Sequence, residues 1–216
     1  MKDYYGDIDL VGNYMYFFNS GITENKNFPR VYELQKNLSY NSQYLEHISN
    51  CLETKLHTTV RVMYTKTFVI TGMGIIETIL YYFLKSIDFH RTSTIKEVIK
   101  IKSNEKNLEG KSLVVHTTIY EKSEPFEIEM NLSQMIDKTQ NRKIFGNNNN
   151  LYPKLKNLKN LRNKIHLYDV KKNLDHDLNS FDLKELELMK GCLKDILFSE
   201  CFRLPDGEKK KLFSYL

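Results

Sequence analysis

Arg162 and His166 stand four residues apart in the stretch Leu151 to Val170, whose apolar spacing is helical. With residues about 100° apart around a helix axis, Leu151, Leu155, Leu158 and Ile165 share one face, with Leu161 at its edge. Arg162 and His166 fall on the same side as Leu155, whereas Lys156, Asn157, Asn160 and Lys164 take the opposite, solvated side. Charge buried without a partner is costly, so two ionisable groups on the packed side require an explanation. One is structural: an arginine paired with an internal carboxylate and a neutral histidine satisfied by a backbone carbonyl. The other is a phosphodiester site. An imidazole that titrates near neutrality moves protons at working pH, and a permanently charged guanidinium clamps phosphate oxygens and stabilises the charge that builds on them.

The run Leu161-Arg162-Asn163-Lys164-Ile165-His166, on the penultimate helix of a helical chain, resembles the signature of HEPN domains. The resemblance extends over the helical layout from about Val31 onward, and the apolar helix around Glu77 is similar to the central helix of that family. It implies a metal-independent endoribonuclease with no cofactor, of the kind found in toxin–antitoxin and anti-phage defence systems. Such domains form homodimers whose Arg/His motifs face one another across a shared cleft. Carried over, Arg162 and His166 are the catalytic pair and Asn163 orients or contacts the scissile phosphate. The implied reaction is attack by the ribose 2′-hydroxyl on the adjacent phosphorus, which needs no bound metal because RNA carries its own nucleophile. The family usually leaves four to six residues between the arginine and the histidine; here there are three, Asn163, Lys164 and Ile165. The alternative within the resemblance is a catalytically inactive HEPN domain that binds RNA, a nucleotidyltransferase-like antitoxin or another protein partner.

Several residues support this site. Glu77, alone in an apolar stretch, either holds Arg162 and tunes His166 or reaches water at a helix edge. Tyr168 and Asp169 follow the motif closely enough to line the same cleft, although for Asp169 an exposed helix C-terminus is the preferred reading. The chain carries a formal charge of +5, but residues 142 to 172 hold nine basic side chains and one acid, a local +8 that leaves −3 elsewhere. Lys154, Lys156, Lys159 and Lys164 lie in that segment and are the expected RNA contacts, with RNA the expected partner. His47 and Cys51 share a helix face but have no further ligand near them, so packing rather than metal is expected. Gly72-Met73-Gly74 lacks a dinucleotide fingerprint and reads as a close contact between helices. Lys209-Lys210-Lys211 reads as a solvated tail.

Nine Gly and four Pro in 216 residues exclude a collagenous chain, and 41% hydrophobic residues exclude wholesale disorder. Three cysteines at wide spacings suggest no disulfide framework, and acids near the N-terminus replace the basic start of a signal peptide, so a cytoplasmic protein is expected. Phe68 to Leu84 approaches the length of a membrane span, but Glu77 at its centre favours a buried core helix and no membrane partner.

The elements that must position these residues read as an all-α, HEPN-like bundle with a small β-hairpin insertion around residues 112–131. Residues 1–30 read as an irregular aromatic arm and 31–216 as one helical domain. Helices are expected from Val31 to about Leu56, from about Val60 to Ile87, and from Thr94 to about Lys102, where Thr94 and Glu97 match a capping box. A hairpin follows over Lys111 to Leu132, with a turn at Ser123-Glu124-Pro125. Further helices are expected from Ser133 to about Phe145, Pro153 to Asp169, and Asp182 to about Phe202, with a glycine–asparagine break at 146–150.

Overall fold

The computed structural model describes residues 8–89, 91–147, 150–163 and 180–216. They divide into a helical unit, formed by the chain up to Asp88 and from Asn131 onward, and a β unit, Phe89–Met130. The described residues contain seven helices and four antiparallel strands, 57% helix and 17% strand, so the chain is mixed α and β and not all-α.

The helical unit is built around α3 (Thr58–Ser86), which packs against α2 (Tyr32–Leu52), α4 (Leu132–Arg142), α5 (Leu151–Arg162) and α6 (Leu183–Leu197). Its Phe68, Val69, Met73, Ile76, Ile79 and Leu80 are fully buried. By length and composition α3 could cross a membrane, yet 56% of its most apolar window is buried within the protein, which is compatible with a soluble chain. Gly72 permits the close approach of α6: a Cβ there would lie 2.7 Å from Met189 Sδ and 3.3 Å from Leu193 Cδ1. Gly74 has open space at the same position, so of the two glycines only Gly72 serves helix contact.

The expected irregular arm contains a helix, α1 (Ile8–Asn19), with Tyr14, Phe17 and Phe18 fully buried. Burial of three aromatic rings outweighs the weak helix propensity of the surrounding asparagine and glycine. Their partners come from the far end of the chain: Phe17 stacks on Phe202 at 4.7 Å and meets Phe213 edge-on at 4.7 Å. Tyr14 Oη lies 3.0 Å from Glu46 Oε2 and 3.3 Å from the Leu212 carbonyl, at the end of α7 (Asp206–Leu212).

Lys209 is buried, unlike the solvated lysine expected of a tail. Its Nζ donates to the carbonyls of Phe198 at 3.3 Å and Ser199 at 3.1 Å, just past α6, where a cation satisfies orphan acceptors at the negative end of the helix dipole.

The β unit corrects two expectations. The segment assigned to a short helix is β1 (Arg91–Lys102), and it pairs antiparallel with β4 (His116–Ile128). Thr92, Thr94, Ile95, Val98, Ile99 and Ile101 are stiff at χ1 and suit a pleated strand, which overrides the local Thr94/Glu97 cap. The hairpin is therefore larger than the small insertion around 112–131. Its tip is β2 (Lys106–Leu108) paired with β3 (Lys111–Leu113), joined by Glu109 at φ 50° and Gly110 at φ 75°, as a two-residue type I′ turn requires. Ser123-Glu124-Pro125 makes no turn. β4 runs through it, and the register shift opposite Ser93 and Ile95 accommodates the proline that cannot donate to the ladder.

Helix starts differ from expectation by small amounts. α4 is capped by Asn131, not Ser133: its side chain accepts from Gln134 N at 3.0 Å while Gln134 Oε1 accepts from Asn131 N at 3.2 Å. It ends at Lys143, which has φ 51°. Asp182 caps α6 as expected, accepting from Lys184 N at 2.7 Å, and the Glu185 side chain holds the Asp182 carboxyl below its ordinary range.

Two predictions follow from this packing. Gly74→Ala raises thermal stability by about 0.5–1 kcal/mol through helix propensity, whereas Gly72→Val lowers it by about 1–3 kcal/mol through overpacking against Met189; calorimetry of the pair checks both signs. Burial raises the pKa of Tyr14, Tyr215 and Tyr152. A raised folded pKa leaves the stability contribution intact below the unfolded phenol value of about 10 and removes it as pH climbs beyond. Melting temperature measured against pH therefore falls above about pH 10, and Tyr14→Phe shallows that fall.

Candidate functional site

α5 carries the sequence-predicted motif. Leu151, Leu155, Leu158 and Leu161 are buried as their spacing requires, and Tyr152 joins them, its hydroxyl donating to the Thr139 carbonyl at 3.2 Å. Arg162 follows Leu161 at the margin of this stripe. Across the contact between α5 and α3, its Nη2 donates to Glu77 Oε2 at 3.1 Å, with the arginine side chain 37% and the glutamate 29% exposed. The structure thus joins the two charged residues that the sequence singled out on different helices, at the rim of the core and within reach of solvent. The contact engages the guanidinium through Nη2, and the planar fork carries further N–H donors with the geometry to meet a phosphate.

Asn163 follows as the C-cap residue of α5, exposed, with its backbone N–H donating to the Lys159 carbonyl at 3.2 Å. His166, Lys164, Tyr168 and Asp169 lie outside the described residues, as does the rest of the helix expected to reach Asp169.

Three of the lysines expected to meet RNA are placed against the helical unit. Lys156 Nζ lies 2.8 Å from Asp137 Oδ1 on α4, and Lys154 Nζ lies 4.0 Å from Asp195 Oδ2 on α6. Lys159 Nζ donates to Ser133 Oγ at 3.4 Å. The lysine side chains of the two ion pairs remain 45% and 41% exposed, so each holds a carboxylate without leaving the surface. Asp137 and Asp195 carried no motif; the signal available for them was their place on helices flanking a basic segment.

A shallow groove of about 200 Å³ runs between α2 and α3, lined by Asn37, Leu38, Asn41, Gly74, Ile75 and Thr78. Thr78 adjoins Glu77 in sequence, and its hydroxyl donates back to the Gly74 carbonyl at 2.8 Å. Elsewhere, a cleft of about 320 Å³ is lined by Asn13, Tyr16, Glu46, Leu204, Glu208, Lys211 and Leu212 and shares no residue with the arginine site. Cys51 Sγ sits 3.6 Å from His47 Nε2 on one helix face. Among the described residues no group of three or more metal-ligating side chains comes together.

The chain matches no family model, no curated protein and no solved structure.

An ion pair exposed by about a third contributes on the order of 0.2–1 kcal/mol, so a double-mutant cycle of Glu77→Gln and Arg162→Gln in denaturant yields a coupling in that range. A larger coupling would mean that the pair is shielded from water.

Proposed function

We propose that this chain is a metal-independent endoribonuclease of HEPN type, cytoplasmic and homodimeric, acting in a toxin–antitoxin or anti-phage setting. The observation that carries the proposal is the Arg162 guanidinium held by Glu77 at 3.1 Å within the segment 142–172, whose net charge of +8 includes that arginine. An arginine fixed by a carboxylate and open to solvent is pre-set to receive a phosphodiester. Asn163, exposed next to it, supplies an amide to the same phosphate, and the positive charge of Lys154, Lys156, Lys159 and Lys164 attracts the polyanion.

In the reaction, the 2′-oxygen bonds to phosphorus as the bond to the 5′-oxygen of the next nucleotide breaks. The products are a 2′,3′-cyclic phosphate and a 5′-hydroxyl. His166 takes the 2′-hydroxyl proton or delivers one to the departing oxygen. Arg162 stabilises the negative charge on the non-bridging oxygens.

A second reading has support of its own. Glu77–Arg162, Lys156–Asp137 and Lys154–Asp195 bind α5 to three neighbouring helices, as an internal structural network does. On that reading the domain is catalytically silent and binds RNA or a protein partner.

Total RNA incubated with the full chain in EDTA separates the two. Cleavage yields cyclic-phosphate ends; His166→Ala slows it about 10²–10⁴-fold and Arg162→Ala about 10²–10³-fold, both variants keeping the wild-type melting curve within about 1 kcal/mol. Intact RNA with wild type, or equal cleavage by the variants, overturns the ribonuclease. Retained RNA binding without cleavage then selects the silent module.

A further inference from the structure

The groove between α2 and α3 has a lining that the ribonuclease proposal does not use. Buried Leu38 and Ile75 give it apolar walls, Thr78 adds a hydroxyl, and exposed Asn37 and Asn41 stand one turn apart on its α2 side. Its volume is about 200 Å³. Pockets for drug-sized ligands begin at roughly 300 Å³, so this one suits a single flat ring system. None of its described lining residues is charged, so the part of a ligand that enters is neutral.

Gly74 gives an independent sign of an occupant. Glycine is a poor helix former, and its presence within α3 needs a reason. Gly72 has one in Met189, but a Cβ at Gly74 would meet nothing within 4 Å. Packing therefore does not account for it. A missing side chain also lets a ligand approach the backbone closely, and Gly74 lines the groove.

The asparagines define the chemistry. Asn41 Nδ2 donates to the Asn37 carbonyl at 2.8 Å, which ties that amide to its own helix. Among the described residues, nothing bonds to the Asn37 side-chain amide. A carboxamide presents a donor and an acceptor side by side, the complement of the N6/N7 edge of adenine. Tyr40 and Tyr44, 46% and 48% exposed, fall within about 60° of Asn37 around α2 at 3.6 residues per turn. Single-stranded RNA is read by such groups, with amides on base edges and aromatic rings on base faces.

We propose that the groove holds one adenine base of the RNA strand, with Asn37 bonded to its edge and Leu38 and Ile75 against its ring. The inference rests on the reading of RNA as the ligand and adds which base is recognised and where. Glu77 lies about 60° around α3 from Gly74 and about 100° from Thr78, roughly 5–10 Å on a helix about 10–12 Å across. Stacked nucleotides rise about 3.4 Å each, so the bound base is within about three nucleotides of the phosphate at Arg162. Cleavage falls at that distance from an adenine.

The test uses fluorescent oligoadenylate and oligouridylate of about ten nucleotides, both 2′-O-methylated so that no 2′-hydroxyl can attack. The full wild-type chain binds the adenylate about tenfold more tightly. Asn37→Leu removes the donor and acceptor, and Gly74→Leu fills the groove; each brings adenylate affinity down to that of uridylate. Both positions are exposed, and a variant that had lost its fold would lose the uridylate as well. Equal affinity of wild type for the two probes, or an adenine preference that survives both substitutions, overturns the proposal. Cleavage of unmodified RNA in EDTA is read separately. Cutting without an adenine preference overturns the groove and spares the ribonuclease; adenine-selective binding without cutting does the reverse.

Discussion

A carboxylate on a helix that is otherwise sunk in the core must find a cation or reach water, and Glu77 does both at the rim of α3. That one requirement relates the two helices that matter most. α3 is central because its apolar residues cover most of its circumference, and Glu77 interrupts them where α5 crosses. Arg162 answers it, and in doing so holds the described end of α5 against the core. The alternation of leucines on α5 sets which side of the helix faces inward; the ion pair sets how its charged end is held. Since neither side chain is fully buried, the cost of desolvating two charges is only partly incurred, and the guanidinium keeps access to a solvent-borne anion.

The basic segment gains a double character from its neighbours. Lysines on a helix surface are often only solubilising, yet Lys154 and Lys156 each lean on an aspartate from a different helix. Such contacts are individually weak, but they keep the cations at fixed positions around α5.

Much of the helical unit was legible from local pattern. The leucine stripe of α2, the limits of α3, the inward face of α5 and the Asp182 cap are written in residues a few positions apart, and they appear where that spacing puts them. Glu77 and Arg162 could each be singled out by type, since a lone acid in an apolar run and a lone arginine on a packed side both demand a partner. That they demand each other depends on the crossing of two helices, which no local window contains. The failures share this cause. β1 carries a plausible capping pair, and only its partner strand, on the far side of the Lys106–Leu113 hairpin, decides for a strand. α1 lacks a clean period because its aromatic residues face Phe202 and Phe213 near the other end of the sequence. Lys209 reads as one of three equivalent lysines until the carbonyls past α6 are placed beside it.

The pairing of α1 with the last helix has a consequence in time. Tyr14 meets the Leu212 carbonyl across 198 residues of sequence. At a synthesis rate of about 5–20 residues per second, Phe17 and Phe18 leave the ribosome roughly ten to forty seconds before the rings that cover them exist. For that interval α2 is the partner α1 has, and the side of its aromatic cluster that later meets Phe202 and Phe213 stays uncovered, a natural handle for a chaperone. α1 thus precedes every other described element in synthesis and is among the last to be completed.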